Sequence, residues 1–274
     1  MSKTKRILLI SPHPDDIEFF ASNLCMQAVE LGWDTHELIM CCDEYGTSVD
    51  EFKGKRMRRI RRQEMFDSAQ HYGKIIENGV ERLKIKLHWA DYIDGFVPFT
   101  EQSVLRMQKF IRKVDPYLII GPSPHVYFDG HTDHKATGKN HYYALKKMKK
   151  RERPTIMLYY QSLMPDVFLE SRDRQTREKA WHEHGTQMSV PVILFWKLKQ
   201  LLYFPALIRH NAGFFGEGYR RVNFDQETDR PRGFAKVLFR HIFSKGGWGD
   251  QDPRLFIPTP NDLGLEICPD YDIE

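Results

Sequence analysis

The chain is poor in several features that would each point to a class of protein. Of 274 residues only four are cysteine, Cys25, Cys41, Cys42 and Cys268, and no two of them stand in a CxxC pair. That usage predicts a reduced, cytoplasmic chain whose cysteines serve as small apolar residues. Charge of one sign is not in excess: 41 Lys and Arg face 37 Asp and Glu, a net charge of +4. A balance this even argues against nucleic acid as a partner. Long apolar runs are missing too. The run behind the basic start covers only Ile7 to Ile10, too short for a secretory leader, and Val190 to Ile208 is broken by Lys197, Lys199 and Pro205. The expectation is neither secretion nor a membrane span. No GxGxxG follows the first apolar run and no Walker-type loop occurs, so a dinucleotide or nucleoside triphosphate site has no support. There is no internal repeat and no low-complexity stretch.

What is present is an ordinary globular mixture, 41% hydrophobic and 28% charged, in a chain long enough to bury a sizeable core. Arg6–Ser11 reads as a buried strand stopped by Pro12, Ile17–Leu31 as a helix closed by Gly32, and Thr35–Cys42 as a second strand. Arg56–Tyr72 reads as a helix with Ile60, Met65, Phe66 and Ala69 on its inner side and arginines on the outer. Arg82–His88, Tyr117–Gly121 and Thr155–Gln161 continue as strands, with helices at Ser103–Val114 and His134–Lys150. Strands alternating with helices predict an α/β fold: a Rossmann-like, doubly wound, mostly parallel sheet with helices on both faces. Ligands are then expected beyond the carboxyl ends of the strands.

The alternation fades near residue 162. The expected organisation is a core over 1–162 and a helical or irregular C-terminal subregion over 163–274, packed on the core on its substrate side or as a lid. Within it, the stretch from Val192 to Phe215 is more apolar than one face of a surface helix requires. Packing on the sheet or a subunit contact is the plain reading. The sharper one is a pocket for an apolar group on a ligand, with Phe214 in its wall and Gly213, Gly216 and Gly218 letting a lid move.

Two clusters carry the chemistry. The first strand runs into Ser11-Pro12-His13-Pro14-Asp15-Asp16, placing an imidazole and two carboxylates on a proline-stiffened turn at a strand end. His13 and Asp16 can both reach a metal, leaving Asp15 for another role; the bland alternative is that the aspartates cap the next helix. The second cluster, Phe128-Asp129-Gly130-His131-Thr132-Asp133-His134, follows a later strand of the same sheet. Its bland alternative is a solvated turn. Taken together the clusters supply two His and one Asp for a metal, with acid–base groups to spare. A nitrogen/oxygen set of three with a place for water suits catalytic zinc, although Fe2+, Co2+ or Mn2+ suit the same set.

These residues resemble the PIG-L/LmbE-like zinc-dependent N-deacetylases, whose hallmark is His-Pro-Asp-Asp after the first strand and a later His-x-Asp-His. Here they read His13-Pro14-Asp15-Asp16 and His131-Thr132-Asp133-His134. Weaker similarities follow in order: Arg61-x-x-Glu64 with Tyr72-Gly73, Asp94-Gly95, Lys179…His184-x-x-Gln187, and Gly216-Glu217-x-Tyr219. Two departures are Thr132, where proline is common, and Cys42-Asp43-Glu44-Tyr45-Gly46 in place of Thr-x-Gly-Glu.

The resemblance implies zinc on His13, Asp16 and His134, and Asp15 as general base. It implies His131, oriented by Asp133 and held as a cation, as the group that stabilises the oxyanion and protonates the leaving amine. Arg61, Asp94 and His184 are the expected substrate contacts, with a solvated helix face as the alternative for Arg61. The implied substrate is a small aminosugar or glycoconjugate, such as an N-acetylglucosamine-type glycoside that loses an acetyl or acyl group. A same-fold amidase on a larger conjugate, a nucleotide-sugar transferase and a non-catalytic carbohydrate-binding protein stay as rivals, and self-association into a homo-oligomer stays open.

Overall fold

A computed structural model describes residues 4–47, 49–124, 131–162, 165–171, 173–187, 207, 209–210, 212 and 215–224. The apolar Val192–Phe204 stretch, Gly213, Phe214, the Phe128–Gly130 part of the second cluster, and Cys268 lie outside the described residues, and with them the expected apolar pocket.

The first strand, β1 (Arg6–Ser11), is apolar without a break because both of its faces are covered. Leu8 and Ile10 enter one core layer, and Ile7 and Leu9 the other. It pairs in parallel with β2 (Asp34–Cys41) on one side and β6 (Leu118–Pro122) on the other. β5 (Ile85–Tyr92) extends the sheet beyond β2, and β7 (Ile156–Tyr160) beyond β6, both parallel. The helices α2 (Ser22–Glu30), α3 (Lys55–His71), α4 (Glu101–Val114) and α5 (Thr132–Lys147) connect these strands. Clusters on both faces of the sheet confirm the doubly wound α/β architecture.

Four local expectations change. The helix expected over Ile17–Leu31 breaks at Ala21 into α1 (Asp16–Phe20) and α2. α2 has no side-chain cap of its own; the Glu217 carboxylate, 194 positions away, accepts Asn23 N at 3.0 Å and Leu24 N at 3.3 Å. A distant carboxylate at those amides requires the chain to leave the first helix there. The strand expected over Arg82–His88 is instead the end of an antiparallel hairpin, β3 (Lys74–Glu77) with β4 (Val80–Leu83), followed by β5. On α3, Phe66 is 46% exposed while Arg61 is fully buried, the reverse of the expected faces.

The fourth concerns residue 162. β8 (Val167–Leu169) and β9 (Glu217–Arg221) join the sheet beyond β7 by antiparallel pairing, in the order β5-β2-β1-β6-β7-β9-β8. The sheet therefore crosses the expected boundary, and α6 (Arg174–His182) packs on α1 and α3. Among the described residues no helix is long and apolar enough to cross a membrane.

Candidate metal centre

The turn after β1 folds on itself. Asp16 Oδ2 accepts the His13 backbone amide at 2.8 Å, and Cys41 N donates to Pro12 O at 3.1 Å, tying the turn to β2. Asp15 sits at the N-cap of α1 but makes no capping hydrogen bond, so the simple capping alternative does not describe it. α5 brings the second cluster to the same edge. It lies so close to the end of β6 that a Cβ on Gly138 would stand 2.3 Å from Ser123 O.

Donor atoms of three residues meet where the clusters touch. His13 Nδ1 lies 3.1 Å from His134 Nε2, Asp16 Oδ2 lies 3.5 Å from His13 Nδ1, and Asp16 Oδ1 lies 3.4 Å from His134 Nε2. A tetrahedral ion with bonds of about 2.0–2.1 Å would have ligand–ligand edges of about 3.3 Å, so the set fits a divalent metal. Both imidazoles turn their other nitrogen toward polar groups behind the site. His13 Nε2 faces Asp94 Oδ1 and Asp133 Oδ2, each at 3.4 Å, and the Gln161 side-chain amide meets His134 Nδ1 at 3.2 Å. Such outer partners fix ring orientation and raise ligand basicity.

Asp15 turns the other way, toward Arg61. The fully buried guanidinium lies 3.2 Å from Asp15, 3.1 Å from Asp43 and 3.1 Å from Glu64. The Glu64 contact has hydrogen-bond alignment, whereas those to Asp15 and Asp43 are ion pairs at oblique angles. Burial would raise the Asp15 pKa, but Arg61, then His184 and His13, outweigh it and hold the carboxyl below its usual range. Asp43 differs: burial pushes its carboxyl up to about 7 against the pull of Arg61 and His13. Its backbone is left-handed, with φ +54°, and its carboxylate fills the space that a Cβ on Gly46 would need.

The second cluster needs two revisions. The Asp133 carboxylate does not orient His131. It accepts Gly95 N at 2.6 Å and Val97 N at 2.9 Å, clamping the loop after β5, and lies 3.9 Å from His131 Nδ1. What meets His131 Nδ1 is the backbone amide of Asp133, at 3.4 Å. Nor is His131 favoured as a cation. Burial lowers its pKa first, His13 and His134 lower it further, and Asp133 and Asp94 only oppose them. With Nδ1 accepting a backbone N–H, Nε2 carries the proton on a side chain 41% exposed.

The three expected substrate contacts lie behind the centre. Arg61 and His184 are both fully buried, so the solvated face offered for Arg61 does not describe it. Asp94 is 6% exposed and accepts Tyr45 N at 3.1 Å while facing His13. Sequence reasoning passed over Asp43, Gln161 and Glu18. Asp43 follows the end of β2, so the strand-end rule alone could have found it. Gln161 carries no motif, and its left-handed backbone, φ +56°, is visible only in the structure.

Comparisons with known proteins agree with this fold. Over 134 residues the chain is 28% identical to the diacetylchitobiose deacetylase of Thermococcus kodakarensis, covering 49% of this chain and 46% of that protein. The match thus spans about half the length of that curated relative. In fold, the chain is similar to the N,N'-diacetylchitobiose deacetylase of Pyrococcus horikoshii, with a TM-score of 0.66 and 22% identity over 80% of this chain and 84% of that one. It is also similar to a 4-carboxy-2-hydroxymuconate hydratase of Pseudomonas putida, with a TM-score of 0.58 and 15% identity over 84% of this chain and 100% of that one. Residues 8–145, half of the chain, match the family described as PIG-L, GlcNAc-PI de-N-acetylase, and it is to this family that the chain belongs.

Proposed function

We propose that the chain is a zinc-dependent N-deacetylase that removes an acetyl or acyl group from the amine of an aminosugar, most simply an N-acetylglucosamine-type glycoside. The observation that carries the reading is the meeting of His13 Nδ1, His134 Nε2 and the Asp16 carboxylate at 3.1–3.5 Å beside an ionised, partly exposed Asp15. Relatives named as diacetylchitobiose deacetylases support the substrate class. When bound by His13, Asp16 and His134, zinc supplies a Lewis acid that polarises an amide carbonyl and makes hydroxide available near neutral pH.

The protein's own groups do the rest. Asp15, kept ionised by Arg61, takes the proton of the attacking water. His131 presents Nε2–H at the exposed side of the centre, where it donates a hydrogen bond to the developing oxyanion, and the proton that Asp15 has taken from the water passes to the leaving amine as the C–N bond breaks. Arg61 holds Asp15 in place from behind. Asp94 and Asp133 orient His13, as Gln161 orients His134. The place of action on this reading is the cytoplasm.

The test is hydrolysis of a panel of N-acyl aminosugars with and without a chelator. Asp15→Asn should keep bound zinc and lose about a hundredfold or more in turnover, the scale of a general base. Near-normal turnover in that variant, or chelator-insensitive hydrolysis by the parent, would refute the assignment.

A further inference from the structure

The short helix that carries the first cluster cannot hold itself in place. α1 spans five residues, Asp16–Phe20, and has no side-chain N-cap; one turn is too short to be stable alone. Yet its first residue is a metal ligand, and Asp15 precedes it. Its orientation must come from tertiary contacts. Ile17 enters the core, Phe19 meets Trp181 and Phe20 stacks on Tyr160, and one further side chain adds polar contacts from behind. Glu18 is 2% exposed, an unusual place for a carboxylate. Its Oε1 accepts the Ser68 hydroxyl at 2.7 Å, joining α1 to α3. Its Oε2 faces His184 Nε2 at 3.7 Å, joining α1 to the segment after α6. Ser68 and His184 are both fully buried.

That segment is itself fastened. Glu64 on α3 accepts the Thr186 amide at 2.8 Å and the Thr186 hydroxyl at 2.7 Å, and the Gln187 side chain donates to Gly46 O at 2.9 Å. The segment that carries His184 is thus fastened to α3 and to the loop after β2 as well as to α6. Burying a carboxylate here is costly unless it is paired, and an apolar residue would fill the space without that cost. The carboxylate gives direction: its two oxygens point at two different elements and so fix the rotation of a one-turn helix.

We propose that Glu18 is a positioning residue for the metal ligands, braced by Ser68 and His184, which sets the Asp16 carboxylate against His13 and His134. The proposal rests on the metal site described above and not on the identity of the substrate. It explains His184 as a brace, and the His184-x-x-Gln187 segment as its mounting.

The experiment measures Zn2+ affinity by chelator competition, and the visible spectrum of the Co2+-loaded protein, for Glu18→Ala, Glu18→Gln and Ser68→Ala. Each keeps all three ligands. Glu18→Ala should weaken Zn2+ binding about 10–100-fold, the range for outer-shell groups, and shift the Co2+ bands. Glu18→Gln, which keeps an acceptor for Ser68 but loses the charge facing His184, should fall between Glu18→Ala and the parent. Ser68→Ala should move affinity in the same direction by less. Should Glu18→Ala fail to fold, Ser68→Ala, which deletes one hydroxyl, still decides the matter. A lowered melting temperature with Zn2+ affinity within about twofold of the parent and an unshifted Co2+ spectrum would overturn the proposal, because a merely structural residue behaves that way. Weakened Zn2+ binding in the variants supports it even if the parent hydrolyses no N-acyl aminosugar, a result that would refute the deacetylase reading alone.

Discussion

Two pairs of imidazoles in this molecule are nearly superimposable in one dimension and unlike in every other. His13 and His134 bring ring nitrogens to 3.1 Å at the carboxyl edge of the sheet, and His36 and His88 bring theirs to 3.0 Å on β2 and β5. At the first pair the Asp16 carboxylate stands 3.4–3.5 Å from both facing nitrogens. At the second, Asp34 lies 3.3 Å from His36 Nε2, the nitrogen turned away from His88, and Lys86 meets the same carboxylate at 2.8 Å. The rings of the second pair are also stacked, 9° from parallel, whereas those of the first are tilted by 39°. An N–H···N hydrogen bond between neutral rings accounts for the second pair. What makes a metal centre is therefore not two close histidines but a third donor converging on the same point.

That contrast can be broken at three depths. The deepest cut is His134→Ala, which removes one of three ligands. Bound zinc should fall from about one per chain to none, and deacetylase activity with it, as read by metal analysis and product release. A zinc-replete, active His134→Ala would put the ion elsewhere. Next comes Gln161→Ala, which leaves every ligand in place but frees the ring of His134 to turn. Zinc affinity should weaken about 10–100-fold in chelator competition with the stoichiometry at saturation unchanged. The shallowest cut is His88→Ala in the second pair. It should leave zinc content and turnover within about twofold of the parent and cost about 1 kcal/mol in urea unfolding, the scale of one hydrogen bond. A loss of zinc from that variant would erase the distinction drawn between the pairs.

The parts of the fold that were legible are those where one physical signal acts alone. β1 is readable because a strand covered on both faces is apolar throughout, and the carboxyl-edge rule then carries His13, Asp15 and Asp16 to the right place. His134 follows from the same rule applied to β6. Legibility fails where a distant residue overrides a local pattern. The periodicity of Ile17–Leu31 is helical from end to end, and nothing in it reveals that Glu217 will break it at Ala21. Arginine in a basic run reads as a solvated face, yet Arg61 is taken inside by Asp15, Asp43 and Glu64, which come from three separate segments. Its neighbours show the same absorption: Arg58 pairs with Glu44 at 3.3 Å, and Arg62 pairs with Asp91. Gln161 and Ser68 are ordinary residues whose roles exist only once other elements have been placed beside them. Motif residues whose contacts the sequence does not reveal behave likewise: Glu217 meets the amides at the start of α2, and His184 faces the buried Glu18 carboxylate.

The cap that Glu217 places on α2 also sets an order of events during synthesis. The residue that accepts the Asn23 amide leaves the ribosome 194 positions after it. At about 5–20 residues per second the interval is roughly 10–40 s. Once β7 has emerged, the earlier strands and both metal-binding clusters are present, but until Glu217 and β9 follow, the start of α2 has open amides and the sheet has an unpaired edge at β7, the strand that β9 later covers. The nascent core must therefore wait, exposed along one edge, for a strand near the other end of the described chain.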